Sequence, residues 1–117
     1  MKRIFGLLAL AILLITSSSV YAQKGNIITD KIKVEGNCSM CKERIEEAAY
    51  LPGVKRTDWD KDSKTLTITY KSSKVSKQKI EEHIAHAGHD TEDVKADATA
   101  YKSLPLCCAY KENTCEH

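Results

Sequence analysis

Apolar and polar positions between residues 27 and 49 first alternate and then change to a helical spacing. Ile28, Ile32 and Val34 lie at even spacing with charged residues between them, which is typical of a half-buried strand. After Gly36-Asn37, apolar residues recur at i, i+4, i+7 and i+8, which predicts one buried face of a helix from about residue 39. The residues on that face are Cys41, Ile45, Ala48 and Ala49.

A hairpin and a second helix follow in the sequence. Pro52-Gly53 ends the first helix, and a strand is predicted over residues 54–59. A polar turn at 60–63 leads into a strand where apolar residues alternate with threonines over 65–70. Ser76 is a favourable N-cap for the second helix, and Gly88 closes it. The apolar face of this helix carries Ile80, Ile84 and Ala87.

A short strand at 91–95, around Val94, completes the order β-α-β-β-α-β. This order predicts an α+β, ferredoxin-like fold, with two helices on one face of an antiparallel sheet. We assign this domain to residues 23–96. Residues 97–117 form a C-terminal extension, with a helical turn predicted at 97–101 and an apolar segment around Cys107 and Cys108.

The first 22 residues have the layout of a secretory signal peptide. Lys2 and Arg3 precede an apolar run over residues 4–15, and the predicted cleavage site ends at Ala22. The run of about 12 apolar residues is shorter than the roughly 20 that span a bilayer. We therefore expect the mature protein in the periplasm or secreted, and not membrane-spanning once the signal is removed.

Charge and size narrow the classes of function. The predicted mature chain of 95 residues carries 16 basic and 16 acidic residues, so it has no basic field for nucleic acid. It has room for one modest core. No paired catalytic carboxylates and no nucleophile–base arrangement stand out, so we do not expect an enzyme.

Cys38 and Cys41 straddle the predicted junction between the first strand and the first helix. With one thiol in the loop and one in the first helical turn, both can face a single point above the helix N-terminus. Backbone N–H groups there lower the pKa of a thiol, and a thiolate pair suits soft ions such as Cu(I). The same spacing also fits a redox pair, half of a Cys₄ zinc site or a structural disulfide.

Residues 27–95 resemble the heavy-metal-associated domain found in copper metallochaperones and heavy-metal-transporting ATPases. The resemblance rests on the Cys38-x-x-Cys41 loop with the helix sequence after it, and on the turns at 51–54 and 87–90. It implies binding of Cu(I), or of Hg(II), Zn(II) or Cd(II), through the two cysteines. It also implies transfer to a heavy-metal-transporting ATPase, another membrane metal transporter or a cuproprotein acceptor, with the protein as a monomer or a metal-bridged dimer.

Two further candidate ligands follow from this resemblance. The family position after the second-helix glycine faces the metal loop, which places His89 near the cysteines. Its imidazole is expected to ligate the metal, to donate a hydrogen bond to a thiolate or to lie in solvent. Met40 lies inside the cysteine pair, whereas the family usually places a methionine before it. Its thioether is either a third soft ligand or an ordinary packing group.

The extension carries the other three cysteines, Cys107, Cys108 and Cys115, and ends in His117. An oxidising compartment favours disulfides, but five cysteines leave at least one thiol unpaired within the chain. Neighbouring Cα atoms lie about 3.8 Å apart, less than the usual minimum of about 4.4 Å for a disulfide, so Cys107 and Cys108 are not expected to pair with each other. These residues either form disulfides elsewhere or add ligands to the metal site, and docking of the extension near the loop would close the site.

The function predicted from the sequence is an exported heavy-metal-binding protein. It binds Cu(I) through Cys38 and Cys41, for delivery to a transporter or for buffering. One alternative is a protein of the periplasmic mercury-binding type. Another is a thiol–disulfide redox protein, in which the cysteines of the extension resolve the pair. A third is an adaptor whose cysteines are all structural.

Overall fold

The computed structural model describes residues 26–112. The predicted signal peptide, Cys115 and His117 lie outside these residues. Three strands and three helices follow one another in the order β1, α1, β2, β3, α2, α3, and a short 3₁₀ helix follows α3. Their bounds are β1 Ile27–Lys33, α1 Ser39–Ala49, β2 Val54–Asp60, β3 Thr65–Lys71, α2 Lys77–His86, α3 Ala98–Lys102 and the 3₁₀ helix Leu106–Cys108.

The sheet is antiparallel, with β3 in the centre between β1 and β2. Alternation in β3 is regular: Leu66, Ile68 and Tyr70 are buried, while the threonines between them are half-buried. The first strand follows the predicted pattern only near its end, since Ile32 is buried and Ile28 is exposed. The ferredoxin-like architecture predicted from the sequence is confirmed.

The predicted fourth strand at 91–95 is wrong. Within residues 26–112, this segment contributes only a single bridge, between Thr91 and Val34. The reason is a local turn: the Thr91 N–H donates to the Val94 carbonyl at 2.8 Å, and the Val94 N–H donates to the Thr91 hydroxyl at 3.0 Å. These bonds close the backbone on itself instead of extending it along the sheet edge.

The two long helices cover the sheet with the residues that their spacing predicted. Cys41, Ile45 and Ala49 of α1 are buried, as are Ile80 and Ile84 of α2. All of them belong to one core together with the sheet residues. None of the helices described over residues 26–112 is long and apolar enough to cross a membrane.

The extension folds back onto the end of the domain where α2 stops. Its predicted helical turn is confirmed as α3, where the Asp97 carboxylate accepts a hydrogen bond from the Ala100 N–H at 2.9 Å. The Asp97 N–H donates to the Ala85 carbonyl of α2 at 3.0 Å. Further along, Cys108 is fully buried in the domain core. The described part of the extension, residues 97–112, is therefore packed against the domain.

Candidate metal centre

Cys38 and Cys41 meet at the start of α1, as the strand–loop–helix order predicted. Cys38 occupies the N-cap position in an extended conformation, with φ −152° and ψ 173°. Cys41 lies in the first turn, and its Sγ is 3.2 Å from that of Cys38. Both residues are buried. The Cys41 thiol also donates to the Asn37 Oδ1 at 3.4 Å, so the residue before the motif helps to orient it.

Cys108 brings a third thiol to this pair. Its Sγ lies 3.3 Å from that of Cys38. The three sulfur atoms lie within 4.8 Å of one another, so one metal ion could be held by all three. The four cysteines among residues 26–112 are free thiols. The structure thus brings the extension to the cysteine loop, a placement that the sequence had left open.

Tyr110 holds the extension in this position. Its hydroxyl donates to the Gly88 carbonyl at 2.9 Å and accepts from the Asp90 N–H at 3.0 Å. Its ring stacks on His89. This role of Tyr110 was not predicted from the sequence, where the available signal was an aromatic residue two positions after the Cys107–Cys108 pair. Because Cys108 is so close in the chain, anchoring Tyr110 fixes the position of the third thiol.

Two more sulfur atoms lie beside the three buried thiols. The Cys107 Sγ is 3.4 Å from the Met40 Sδ and 3.9 Å from the Cys108 Sγ. Met40 is about half exposed, at 48%. An open cavity of about 510 Å³ adjoins these atoms. It is lined by Cys38, Ser39, Met40, Lys42, Lys61 and Cys107.

The thiols differ in how readily they ionise. Burial opposes ionisation of Cys38, but hydrogen bonds from Cys41 and Cys108 help to outweigh it, and the pKa of Cys38 is lowered. Burial raises the pKa of Cys41 to about 12. Burial and the neighbouring Cys108 thiol raise the pKa of Cys107 to about 11. In the metal-free protein Cys38 therefore loses its proton before Cys41 and Cys107, and it is the first of these three to present a thiolate to a metal ion.

His89 is buried beside the end of the segment that leads from β1 into the cysteine loop. Its ring is fully buried, and Nδ1 donates to the Glu35 carbonyl at 2.7 Å. Burial, aided by the charge of Arg44, lowers its pKa to about 4, so the ring is neutral at pH 7. It is not one of the three residues whose ligand atoms lie within 4.8 Å of one another. In this geometry His89 supports Tyr110 and the loop.

Lys42 links the first turn of α1 to the sheet. Its Nζ lies 2.6 Å from a Glu46 carboxylate oxygen and 2.9 Å from an Asp58 carboxylate oxygen. It also donates to the Trp59 carbonyl at 2.9 Å. These contacts fix the first turn of α1 against β2, and with it the position of Cys41. They also hold the Lys42 ammonium between two carboxylates, beside the cavity that Lys42 lines.

Comparison with solved structures of other proteins points to a metal-binding domain. No family model matches the sequence, and no curated protein matches it either. Solved structures do match. One is the CopZ metallochaperone, at 27% identity and a TM-score of 0.53, over 55% of this chain and 98% of that one. Another is a protein of Bacillus anthracis str. Ames assigned as copper-ion-binding, at 28% identity and a TM-score of 0.55, over 57% and 97%.

A third match is oxidised MerP from Ralstonia metallidurans CH34, at 26% identity and a TM-score of 0.54, over 57% of this chain and 96% of that one. Each match covers nearly all of the solved chain and little more than half of this one. Much of this chain therefore lies beyond what these structures share with it. The predicted resemblance is confirmed: residues 26–112 contain a domain with the heavy-metal-associated fold of these metal-binding proteins.

Proposed function

We propose that this protein is an exported Cu(I)-binding protein that holds the ion between the sulfurs of Cys38, Cys41 and Cys108. The observation that carries the proposal is the buried three-sulfur cluster, in which Cys108 lies 3.3 Å from Cys38. Three thiolates are soft ligands and suit a soft ion of low coordination number. Residues 26–112 place three sulfurs there, and a closed structural zinc site takes four ligands.

The third thiolate favours buffering over rapid delivery. An acceptor protein that receives copper by ligand exchange needs access to at least one of the sulfurs, and all three belong to buried residues. Cys38 lines an open cavity but Cys41 and Cys108 do not, so complete transfer to a metal-transporting ATPase or a cuproprotein acceptor requires the extension to lift Cys108 away. In this role the protein binds copper and catalyses no reaction. Its affinity for Cu(I) depends on how strongly the extension is held against the domain.

The test is a competition titration of the reduced full-length protein with Cu(I) and a chromogenic Cu(I) chelator, under anaerobic conditions. The double variant Cys38→Ser/Cys41→Ser is expected to lose the first ion completely. Cys108→Ser is expected to weaken it by at least tenfold, since one of three thiolates is lost. The matched variant Cys107→Ser, which removes the neighbouring thiol, is expected to leave the affinity for the first ion within about twofold.

Three results would overturn the proposal. One is the absence of any tightly bound Cu(I). Another is equal affinity in the wild type and Cys108→Ser. The third is a clear preference for Hg(II) or Zn(II) when each competes with Cu(I) at equal concentration, and Hg(II) preference would assign the protein to mercury binding. Export is tested separately, by the N-terminal sequence of the protein recovered from outside the cytoplasm, which is expected to begin at Gln23.

Thiol–disulfide exchange is a second candidate, favoured by the position of Cys38. Its sulfur has a lowered pKa and lies 3.2 Å and 3.3 Å from two other thiols, the geometry needed for attack and resolution. An insulin-reduction assay on the metal-free protein separates the two candidates. Turnover combined with weak copper binding would replace the first proposal, whereas tight copper binding without turnover excludes exchange as the main role.

A further inference from the structure

The outer sulfur pair, Met40 and Cys107, is not used by the three-sulfur cluster. Their sulfur atoms lie 3.4 Å apart, although the residues are 67 positions apart in the sequence. The contact exists only because the extension docks with Cys107 turned toward the first turn of α1. A thiol and a thioether side by side form a soft ligand pair.

Cys38 connects this outer pair to the inner cluster. Its sulfur contacts both inner partners, at 3.2 Å and 3.3 Å. Cys38 also lines the open cavity together with Met40 and Cys107. A thiolate has more than one lone pair and can therefore bridge two metal ions. Cys38 is thus placed to serve an inner ion and an outer ion at the same time.

We propose that the protein has a second Cu(I) site, formed by the Met40 thioether, the Cys107 thiolate and the shared Cys38 thiolate. The ion enters through the cavity. As the bond from copper to the Cys107 sulfur forms, the thiol proton leaves to solvent, and copper remains Cu(I) throughout. The proposal rests on the proposed function, because Cys38 also belongs to the inner site.

Charge and access suit a second monovalent ion here. The positive charge of the second Cu(I) ion is balanced by the negative charge of the Cys107 thiolate that forms as it binds. Three thiolates with one ion and four thiolates with two ions therefore carry the same net charge, −2. Lys42 and Lys61 also line this cavity, and the Lys42 ammonium is held by Glu46 and Asp58. Exposed Met40 lets the outer ion exchange with solvent ligands, while the inner ion stays buried. The outer site therefore loads and releases copper faster than the inner one.

Native mass spectrometry of the reduced full-length protein titrated with Cu(I) tests this site. The wild type is expected to bind two ions, the second at least tenfold more weakly than the first. Met40→Leu keeps the shape of the side chain but removes the thioether, and Cys107→Ser removes the thiolate. Each variant is expected to bind one ion, at unchanged first affinity. Ser39→Ala alters the same cavity without removing sulfur and is expected to keep two ions.

X-ray absorption at the copper edge tests independently whether two copper ions lie next to each other. The wild type with two ions is expected to show a copper–copper shell, which is absent in Met40→Leu and in the protein with one ion. A single ion in the wild type, or two ions retained in both outer variants, would overturn the second site and leave the proposed function intact. Loss of the second ion in Cys115→Ser but not in Cys107→Ser would also overturn it. No bound Cu(I) at all would overturn the proposed function itself.

Discussion

The ring of Tyr110 stacks on the imidazole of His89, with centroids 5.4 Å apart and planes tilted by 21°. This contact joins the extension to the turn after α2, and the Tyr110 hydroxyl adds two hydrogen bonds to the same turn. Neither residue is one of the three clustered thiols. Because Tyr110 lies two positions after Cys108, we expect this contact to help hold Cys108 beside Cys38.

Replacing Tyr110 should weaken copper binding without removing any sulfur. Tyr110→Ala removes both the stacking and the hydrogen bonds, so the extension loses its anchor, and we expect at least a tenfold loss in affinity for the first Cu(I). Tyr110→Phe keeps the ring and loses only the hydrogen bonds, which contribute about 1 kcal/mol each, so the loss should be smaller. The chelator competition titration measures both.

Tyr50 provides the matched control for that experiment. It follows α1 and is 59% exposed. Tyr50→Ala should leave the copper affinity unchanged, because this ring lies outside the anchor formed by Tyr110 and His89. If Tyr110→Ala bound copper as tightly as the wild type, the extension would not depend on this anchor.

His89 should make the metal-free protein less stable in mild acid. Its Nδ1 already donates to the Glu35 carbonyl, and Nε2 is buried without a hydrogen-bond partner among residues 26–112, so a second proton has no acceptor. The pKa falls from 6.5 in the unfolded chain to about 4 in the folded protein. Between these values the unfolded state binds more protons, and stability therefore decreases as pH falls from about 6.5 to 4.

The full contribution of this residue is about 3 kcal/mol, which is present above pH 6.5 and lost progressively toward pH 4. Urea unfolding at a series of pH values measures it. His89→Gln should flatten the slope in this window, although it lowers the stability at pH 7. The exposed His83→Gln is the control and should keep the wild-type slope. An unchanged slope in His89→Gln would show that another group causes the acid sensitivity.

The main helices and strands of the domain could be predicted from the sequence because each is determined by the pattern of neighbouring residues. The alternation around Ile68 and the spacing from Cys41 to Ala49 each depend on neighbouring residues, and the two helices of the domain and three of its four predicted strands formed. The fourth strand failed because Thr91 is a good strand residue by type, but its hydroxyl formed a local turn with Val94. The strand propensity of a residue does not reveal whether its side chain will bond to the local backbone and so prevent strand pairing.

The candidate site was predictable in part for the same reason. Cys38 and Cys41 are three residues apart on a predicted helix start, so their meeting follows from local geometry. Cys108 reaches them across 70 positions, and Cys107 reaches Met40 across 67. Those contacts depend on the docking of Tyr110 against a turn made by a different part of the chain. No pattern within the extension alone specifies where its anchor binds.

Gly88 should couple stability to copper affinity. Its φ of +105° is unfavourable for any residue with a side chain, and an added Cβ would lie 3.0 Å from the Ala100 carbonyl oxygen of α3. Gly88→Ala is therefore expected to lower the free energy of unfolding by about 1–3 kcal/mol and to push the extension away from its place. Urea unfolding and the copper titration, both at pH 7, measure the two effects.

Gly53 separates backbone strain from movement of the extension. It also has a positive φ, +100°, and an added Cβ would lie 2.7 Å from the Cβ of Lys74, on a turn that supplies none of the three clustered sulfurs. Gly53→Ala should destabilise the protein to a similar degree but leave the affinity of the folded protein for Cu(I) unchanged. Equal affinity in the two variants would mean that the approach of α3 to Gly88 does not position Cys108. A selective loss in Gly88→Ala would establish that this close approach holds the third thiol at the site.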